Sequence, residues 1–154
     1  ASSFTTAPGS TTVPGSTTAP GENVALNKPV LASSFASAEE FAARAVDGFT
    51  TQWRSNAGDH WIWVDLLARY TLDHVVLVWG NQLPTNFALE TSFNAVDWAV
   101  VMQVSPTPGA QRVDLSSTAQ WLRVSCTGQC SLQELQVYGT AFHGRLLATA
   151  PIVV

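Results

Sequence analysis

Charged residues are scarce in this sequence. Asp, Glu, Lys and Arg make up 12% of the 154 residues, the net charge is −4, and the seven cations are Lys28 and six scattered arginines. Nucleic acids and anionic membranes are bound through clusters of Lys and Arg, so we predict no nucleic-acid binding and no electrostatic docking on a membrane. Apolar runs are short as well, since none approaches the ~20 residues of a membrane-spanning helix.

Cysteine is nearly absent, and the two that occur, Cys126 and Cys130, frame the segment Cys-Thr-Gly-Gln-Cys. This spacing fits a small disulfide loop at the tip of a hairpin, with two free thiols as the alternative. A zinc site would need two further ligands, and His143 is the only histidine nearby in sequence. We predict a structural disulfide and, because disulfides form in oxidising compartments, a secreted, extracellular or cell-surface protein.

Catalytic motifs are missing too. The sequence has no Ser, His and Asp set at a known spacing, no glycine-rich phosphate loop and no His-Glu-x-x-His pattern. Asp59 and Asp65 could in principle form the carboxylate pair of a glycosidase, but they lie in a strand-forming stretch with no evident cleft. We therefore predict that this chain is not an enzyme.

A six-residue repeat rich in Thr, Pro, Gly and Ser fills most of residues 1–22. Such a segment cannot build a core, and it suits an extended, solvated linker or tail carrying O-linked sugars. The candidate O-glycosylation sites are Thr5, Thr6, Thr11, Thr12, Thr17 and Thr18. At the other end, residues 140–154 form an apolar tail, which we expect to pair with a sheet of this chain or of a neighbouring copy.

Residues 23–139, between the tails, alternate short apolar segments with turn residues at the spacing of a β-sandwich or jelly roll. The predicted strands are 29–33, 61–66, 73–79, 87–92, 98–104, 111–115, 120–126 and 132–138. One helix is expected over 39–46, where Ser37 can cap an Ala-rich turn. The predicted class is therefore all-β with one short helix.

Tryptophan is frequent, with six residues. Burying one removes about 150–250 Å² of its surface from water. We predict that Trp61, Trp63, Trp79 and Trp121 belong to the hydrophobic core. Trp61 and Trp63 lie in the predicted strand 61–66, which is apolar on both sides.

Four segments follow one another in a recognisable order: Asn-Val-Ala-Leu-Asn-Lys-Pro-Val from position 23, Ala-Val-Asp-Gly from 45, Trp-Ile-Trp-Val-Asp-Leu from 61, and Ser-Leu-Gln-Glu-Leu-Gln-Val-Tyr-Gly from 131. Their order and spacing resemble the discoidin family, also called the coagulation-factor type C (F5/8 type C) family, which includes the family 32 carbohydrate-binding modules. The resemblance implies an eight-stranded antiparallel jelly-roll β-sandwich of the galactose-binding-domain-like kind, with binding loops gathered at one end.

Family 32 modules hold a sugar with an aromatic platform and a few polar loop side chains. In this chain the corresponding loops are 34–37, 53–60, 80–86 and 126–130. The resemblance thus implies the ligand-binding candidates Trp53, Arg54, Asn56, His60, Asn81, Gln82 and Asn86. The alternatives are a solvated loop cation for Arg54, strand entry for His60, and turn chemistry for the amides of loop 80–86.

Many relatives in this family also hold a structural calcium ion, and the resemblance implies Asp47, Thr51 and Glu134 as its ligands. Carboxylate and hydroxyl oxygens suit this hard cation. The alternatives are a turn carboxylate for Asp47 and, for Glu134, a strand residue that faces solvent or Arg123.

The leading functional hypothesis is an extracellular, non-catalytic module that binds carbohydrate or glycan and is part of a larger secreted or surface protein. The alternative is a structural subunit of an extracellular fibre or adhesive matrix. In that case neighbouring copies would assemble through the Thr/Pro repeat and the apolar C-terminal tail.

Overall fold

The computed structural model describes residues 21–142 of the chain. The six candidate O-glycosylation sites and most of both tails lie outside these residues. The assembly hypothesis depends on those segments, so it stays a prediction.

Seven strands and one four-residue 3₁₀ turn form the described chain. In chain order they are β1 Val30–Ala32, the 3₁₀ turn Ala42–Ala45, β2 Trp53–Arg54, β3 His60–Trp79, β4 Asn86–Ser92, β5 Ala99–Val104, β6 Ala110–Thr127 and β7 Ser131–Ala141. The predicted all-β class is confirmed, and each predicted strand overlaps an observed one. The short β2 was not predicted.

β3 and β6 are long because each passes through both layers of the sandwich. Residues 60–65 of β3 pair with residues 121–126 of β6, whereas residues 70–78 pair with residues 110–119. The register shifts between Asp65 and Tyr70, where Leu67 adopts a positive φ of 65°. The sequence predicted two separate strands in place of β3 and two in place of β6. The eight predicted strands therefore correspond to six observed ones, and the unpredicted β2 is the seventh.

Antiparallel pairing extends the two layers in opposite directions from β3 and β6. The strand order is β2-β7-β3-β6-β4-β5, and β1 pairs with the first part of β3. β1, β4 and β5 thus belong to one layer, and β7 and β2 to the other. The jelly-roll sandwich implied by the family resemblance is confirmed.

The hydrophobic core fills the space between the layers. Alternate residues of β3, such as Ile62 and Val64, are fully buried. Trp79 in one layer meets Phe87 of β4 in the other, edge to face, with ring centroids 5.0 Å apart.

The prediction of core positions was wrong for three tryptophans. Trp79 is buried, but Trp61, Trp63 and Trp121 are half-buried on the outward face of the β1-β3-β6-β4-β5 layer. Because the first part of β3, which carries Trp61 and Trp63, is apolar on both sides, its sequence does not reveal which side faces the other layer.

The helix predicted over 39–46 was also wrong in extent, since only the 3₁₀ turn Ala42–Ala45 forms. Ser37 Oγ donates to Glu40 Oε1 (2.9 Å). The Glu40 carboxylate in turn accepts hydrogen bonds from Arg54 and Gln52, which hold residues 37–40 in an irregular segment.

Across residues 21–142, no helix has the length and apolar character needed to cross a bilayer.

Candidate functional site

The four loops expected to form a binding site do meet at one end of the sandwich. Hydrogen bonds from backbone N–H groups connect the loops to one another and to β7. The N–H of Asn56 donates to Ser34 Oγ (3.0 Å), and that of Gly128 donates to Asp59 Oδ1 (2.8 Å). The N–H of Thr85 donates to the Thr127 carbonyl (2.8 Å), and that of Gln82 donates to Ser131 Oγ (2.9 Å). Each loop is therefore held by at least one neighbouring segment, which positions its exposed side chains.

The Cys126–Cys130 disulfide is present, as predicted. Both cysteines are buried, and the loop between them is held against Ser55. The Cys130 N–H donates to Ser55 Oγ (3.1 Å), and the Ser55 N–H donates back to the Cys130 carbonyl (2.9 Å). The disulfide thus fixes one wall of the site.

Trp53 does not fit the role of a sugar platform. Its side chain is 0% exposed, and its Nε1–H donates to the Ser34 carbonyl (2.8 Å). The indole therefore anchors loop 34–37 from inside the core and offers no face to a ligand.

Phe35 is the exposed aromatic of this loop cluster. It is 53% exposed and lies between Ser34, which accepts from Asn56, and Ala36, whose N–H donates to the Arg54 carbonyl (2.8 Å). The sequence prediction missed it, although it is the only aromatic residue within 34–37. Its ring is available to stack on the apolar face of a sugar.

Arg54 is committed to a bidentate ion pair with Glu40. Its Nε and NH2 groups donate to the two carboxylate oxygens, both at 2.9 Å. Chiefly through these bonds, with help from Gln52, the pKa of Glu40 falls to about 2, and the pKa of Arg54 is raised in turn. Arg54 thus organises the loop base, and sequence reasoning missed Glu40 and Gln52 as its partners.

His60 is tethered through both ring nitrogens. Nδ1 lies 3.0 Å from Ser33 Oγ, and Nε2 lies 3.1 Å from the Ala57 carbonyl. With both nitrogens engaged, the imidazole secures the entry to β3.

The amide candidates provide the exposed polar rim. Asn56, Asn81 and Asn86 are exposed, whereas Gln82 is half-buried. Asn81 Oδ1 accepts from Gln52 Nε2 (3.0 Å), so this side chain is partly fixed in position. Amide side chains can donate and accept hydrogen bonds with sugar hydroxyls.

The calcium candidates lie elsewhere, with Asp47 and Thr51 in the loop after the 3₁₀ turn and Glu134 in β7. Glu134 is only 7% exposed, and its two carboxylate oxygens share the Gly48 N–H at 3.1 and 3.2 Å. Thr51 Oγ1 donates to Asp47 Oδ2 (3.3 Å). Glu134 therefore faces neither solvent nor Arg123, which pairs with Glu90 instead.

Burial raises the pKa of Glu134 to about 7, and the nearby charge of Asp47 adds to this, while the Gly48 N–H opposes it. Within residues 21–142, no group of three or more His, Cys, Asp or Glu is arranged to hold a metal ion. The two carboxylates and the Thr51 hydroxyl are nevertheless the oxygen donors that calcium prefers, so these residues fit the ion if backbone carbonyls complete the ligand set.

Comparison with known families settles the relationship suggested by the sequence. Residues 29–136 match the model of the F5/8 type C domain. The chain belongs to this family. Comparison of the sequence with curated proteins yields no match.

Solved structures of similar fold include carbohydrate-binding modules. Chitosan-binding module 1 of a chitosanase/glucanase from Paenibacillus sp. IK-5 is 32% identical, with 77% of this chain and 99% of that chain covered and a TM-score of 0.72. Module 2 of the same enzyme, in complex with chitotriose, is 27% identical, with 76% and 100% covered and a TM-score of 0.72. The family 32 module of Clostridium perfringens NanJ, in complex with galactose, is 19% identical, with 71% and 92% covered and a TM-score of 0.64; it shares the fold.

Proposed function

We propose that this F5/8 type C domain is an extracellular, non-catalytic carbohydrate-binding module whose ligand lies across the disulfide-held loop end. The observation that carries the proposal is that the loop end presents both an exposed aromatic ring, Phe35, and the exposed amides of Asn56, Asn81 and Asn86. A sugar needs this combination, because its ring has an apolar face and its hydroxyls require hydrogen-bond partners. The disulfide supports an extracellular location.

Chitosan-type oligosaccharides are the first ligands to test. The similar Paenibacillus modules are chitosan-binding, and a glucosamine polymer carries ammonium groups that favour an acidic partner. This chain has a net charge of −4, and Asp59 places an exposed carboxylate in loop 53–60. One oxygen of that carboxylate accepts from Gly128, which fixes the group in place.

Titration calorimetry with chitotriose, galactose and β-glucan oligomers tests the proposal. We expect Phe35→Ala and Asn56→Ala each to weaken binding of the preferred sugar about tenfold, since each removes a direct contact. Tyr138→Ala is the matched control, because Tyr138 is a half-buried aromatic of the other layer, stacked on His74 with ring centroids 4.6 Å apart. A wild-type protein that binds none of these sugars would show the proposal to be wrong.

We further propose that Asp47, Thr51 and Glu134 hold a structural calcium ion. The ion would neutralise two neighbouring carboxylates and tie the loop after the 3₁₀ turn to β7. Calcium should raise the melting temperature of the wild-type protein in a chelator-reversible way, and Glu134→Gln should abolish that increase. Equal melting temperatures in calcium and in chelator would refute the site.

A further inference from the structure

Four tryptophans gather on the outward face of the β1-β3-β6-β4-β5 layer. Trp61 and Trp63 project from β3, Trp121 projects from β6, and Trp98 immediately precedes β5; all four are half-buried. Neither the loop site nor the core uses them. An outward sheet face with so many indoles is unusual, because a solvated face is normally polar.

Arg123 lies at the centre of this cluster. Its guanidinium carbon is 4.2 Å from the Trp98 ring centroid and 5.8 Å from that of Trp61. Arg123 Nε also donates to Glu90 Oε1 (2.6 Å), and Ser125 Oγ donates to the same oxygen. The cluster therefore combines aromatic faces with a fixed polar centre that carries no net charge.

The indole N–H groups of this face differ from those of the core tryptophans in their hydrogen bonding among the described residues. The two tryptophans in the core have protein partners, since Trp53 donates to the Ser34 carbonyl and Trp79 donates to Gln111 Oε1 (2.9 Å). Within residues 21–142, by contrast, no protein acceptor is found for Nε1 of any of the four face tryptophans. Buried indoles usually find a protein partner for this donor, whereas these half-buried ones keep donors that a ligand could use beside the aromatic rings.

The face also begins where the loop site ends. His60 and Trp61 are consecutive, and strand pairing places Trp61 beside Ser125 and Trp63 beside Arg123. Side chains two apart on a strand are separated by roughly 6.6 Å. Indoles therefore continue from the loop end down the sheet, in line with a chain-like ligand that leaves the loops.

We infer that this face, composed of Trp61, Trp63, Trp98 and Trp121 around Arg123 and Glu90 and called here the tryptophan face, binds a further stretch of a polysaccharide held by the loops. The inference rests on the proposed carbohydrate-binding function. Pyranose rings stack on the indoles, while sugar hydroxyls accept from the indole N–H groups and meet the Arg123–Glu90 pair.

Comparing a polymer with a trimer separates the face from the loops. We expect Trp63→Ala to weaken binding of soluble chitosan or β-glucan polymer about tenfold and to leave chitotriose binding within twofold of wild type. Phe35→Ala should weaken both, and Tyr138→Ala should weaken neither. Trp63→Phe, which keeps a ring but lacks the N–H, provides a second variant if Trp63→Ala unfolds, and it should show an intermediate loss for the polymer.

The other outcomes overturn the inference in distinguishable ways. If Trp63→Phe and a folded Trp63→Ala bind the polymer as tightly as wild type while Phe35→Ala does not, the tryptophan face is not a sugar surface and the proposed function stands. If wild type binds neither polymer nor trimer, both proposals fail. If sedimentation shows a wild-type dimer that Trp63→Ala dissociates, with polymer affinity unchanged, the face is a contact between copies of this chain.

Discussion

Replacing Trp53 by phenylalanine separates a core role from a ligand-platform role. Trp53 is fully buried, and its Nε1–H donates to the Ser34 carbonyl at 2.8 Å. The substitution keeps an aromatic ring but removes the donor and part of the volume. If Trp53 anchors the loop from within the core, the variant should lose stability and retain sugar affinity under conditions where it is folded.

The expected loss has two parts. Phenylalanine is smaller by about 40 Å³, which at ~24 cal/mol per Å³ of cavity costs about 1 kcal/mol. Leaving the Ser34 carbonyl without its donor costs about 1 kcal/mol more. The sum of about 2 kcal/mol corresponds to a melting temperature lowered by roughly 6–10 °C for a domain of this size.

Urea unfolding followed by far-UV circular dichroism measures this loss without relying on tryptophan fluorescence. Trp63→Phe is the matched control, because within residues 21–142 its Nε1 has no protein acceptor, and we expect it to cost less than about 1 kcal/mol. A Trp53→Phe variant as stable as wild type but unable to bind sugar would refute the reasoning and restore Trp53 as the platform.

Three further predictions concern single features of the fold. The pKa of Glu40 is lowered to about 2, so its contribution to stability is present above pH ~4.5 and is lost as the pH falls towards 2. When the free energy of unfolding is measured against pH, Glu40→Gln should therefore reduce the loss of stability between these two pH values. Gly139→Ala would place a Cβ in steric overlap with the Thr71 carbonyl oxygen, so we expect a loss of about 1–3 kcal/mol in urea unfolding. An unchanged unfolding midpoint would contradict this packing. Replacing Cys126 and Cys130 together by serine opens a five-residue loop and should cost about 2 kcal/mol, whereas unfolding insensitive to reductant in the wild type would argue against the bond.

The overall class followed from patterns that are local in sequence. Alternating apolar residues and regularly spaced turns predicted the strands, because side chains alternate between the two sides of any strand. The spacing of Cys126 and Cys130 was enough to predict their disulfide. The order of four motifs was enough to predict the family. The sequence did not show that pairs of predicted strands merge into β3 and β6, because a strand can bend without a change in its alternation of apolar and polar residues.

The roles of individual site residues depended on distant partners. Arg54, a candidate ligand, is paired by the fold with Glu40. Glu134, for which the alternative to a calcium ligand was a strand residue facing solvent or Arg123, lies in β7 beside the Gly48 N–H, 86 residues away in sequence. A charged side chain takes the partner that packing brings within reach, and no local pattern records that partner.

The sequence by itself determined that this is an all-β, disulfide-bonded F5/8 type C domain. Only the tertiary structure decided which aromatic rings meet water. Trp53 turned inward and Phe35 outward, while Trp61, Trp63 and Trp121 came to line an open sheet face. The hydrophobic effect makes burial of an aromatic ring favourable, but it does not select which rings are buried. A ring is buried only where another layer covers its side of the sheet.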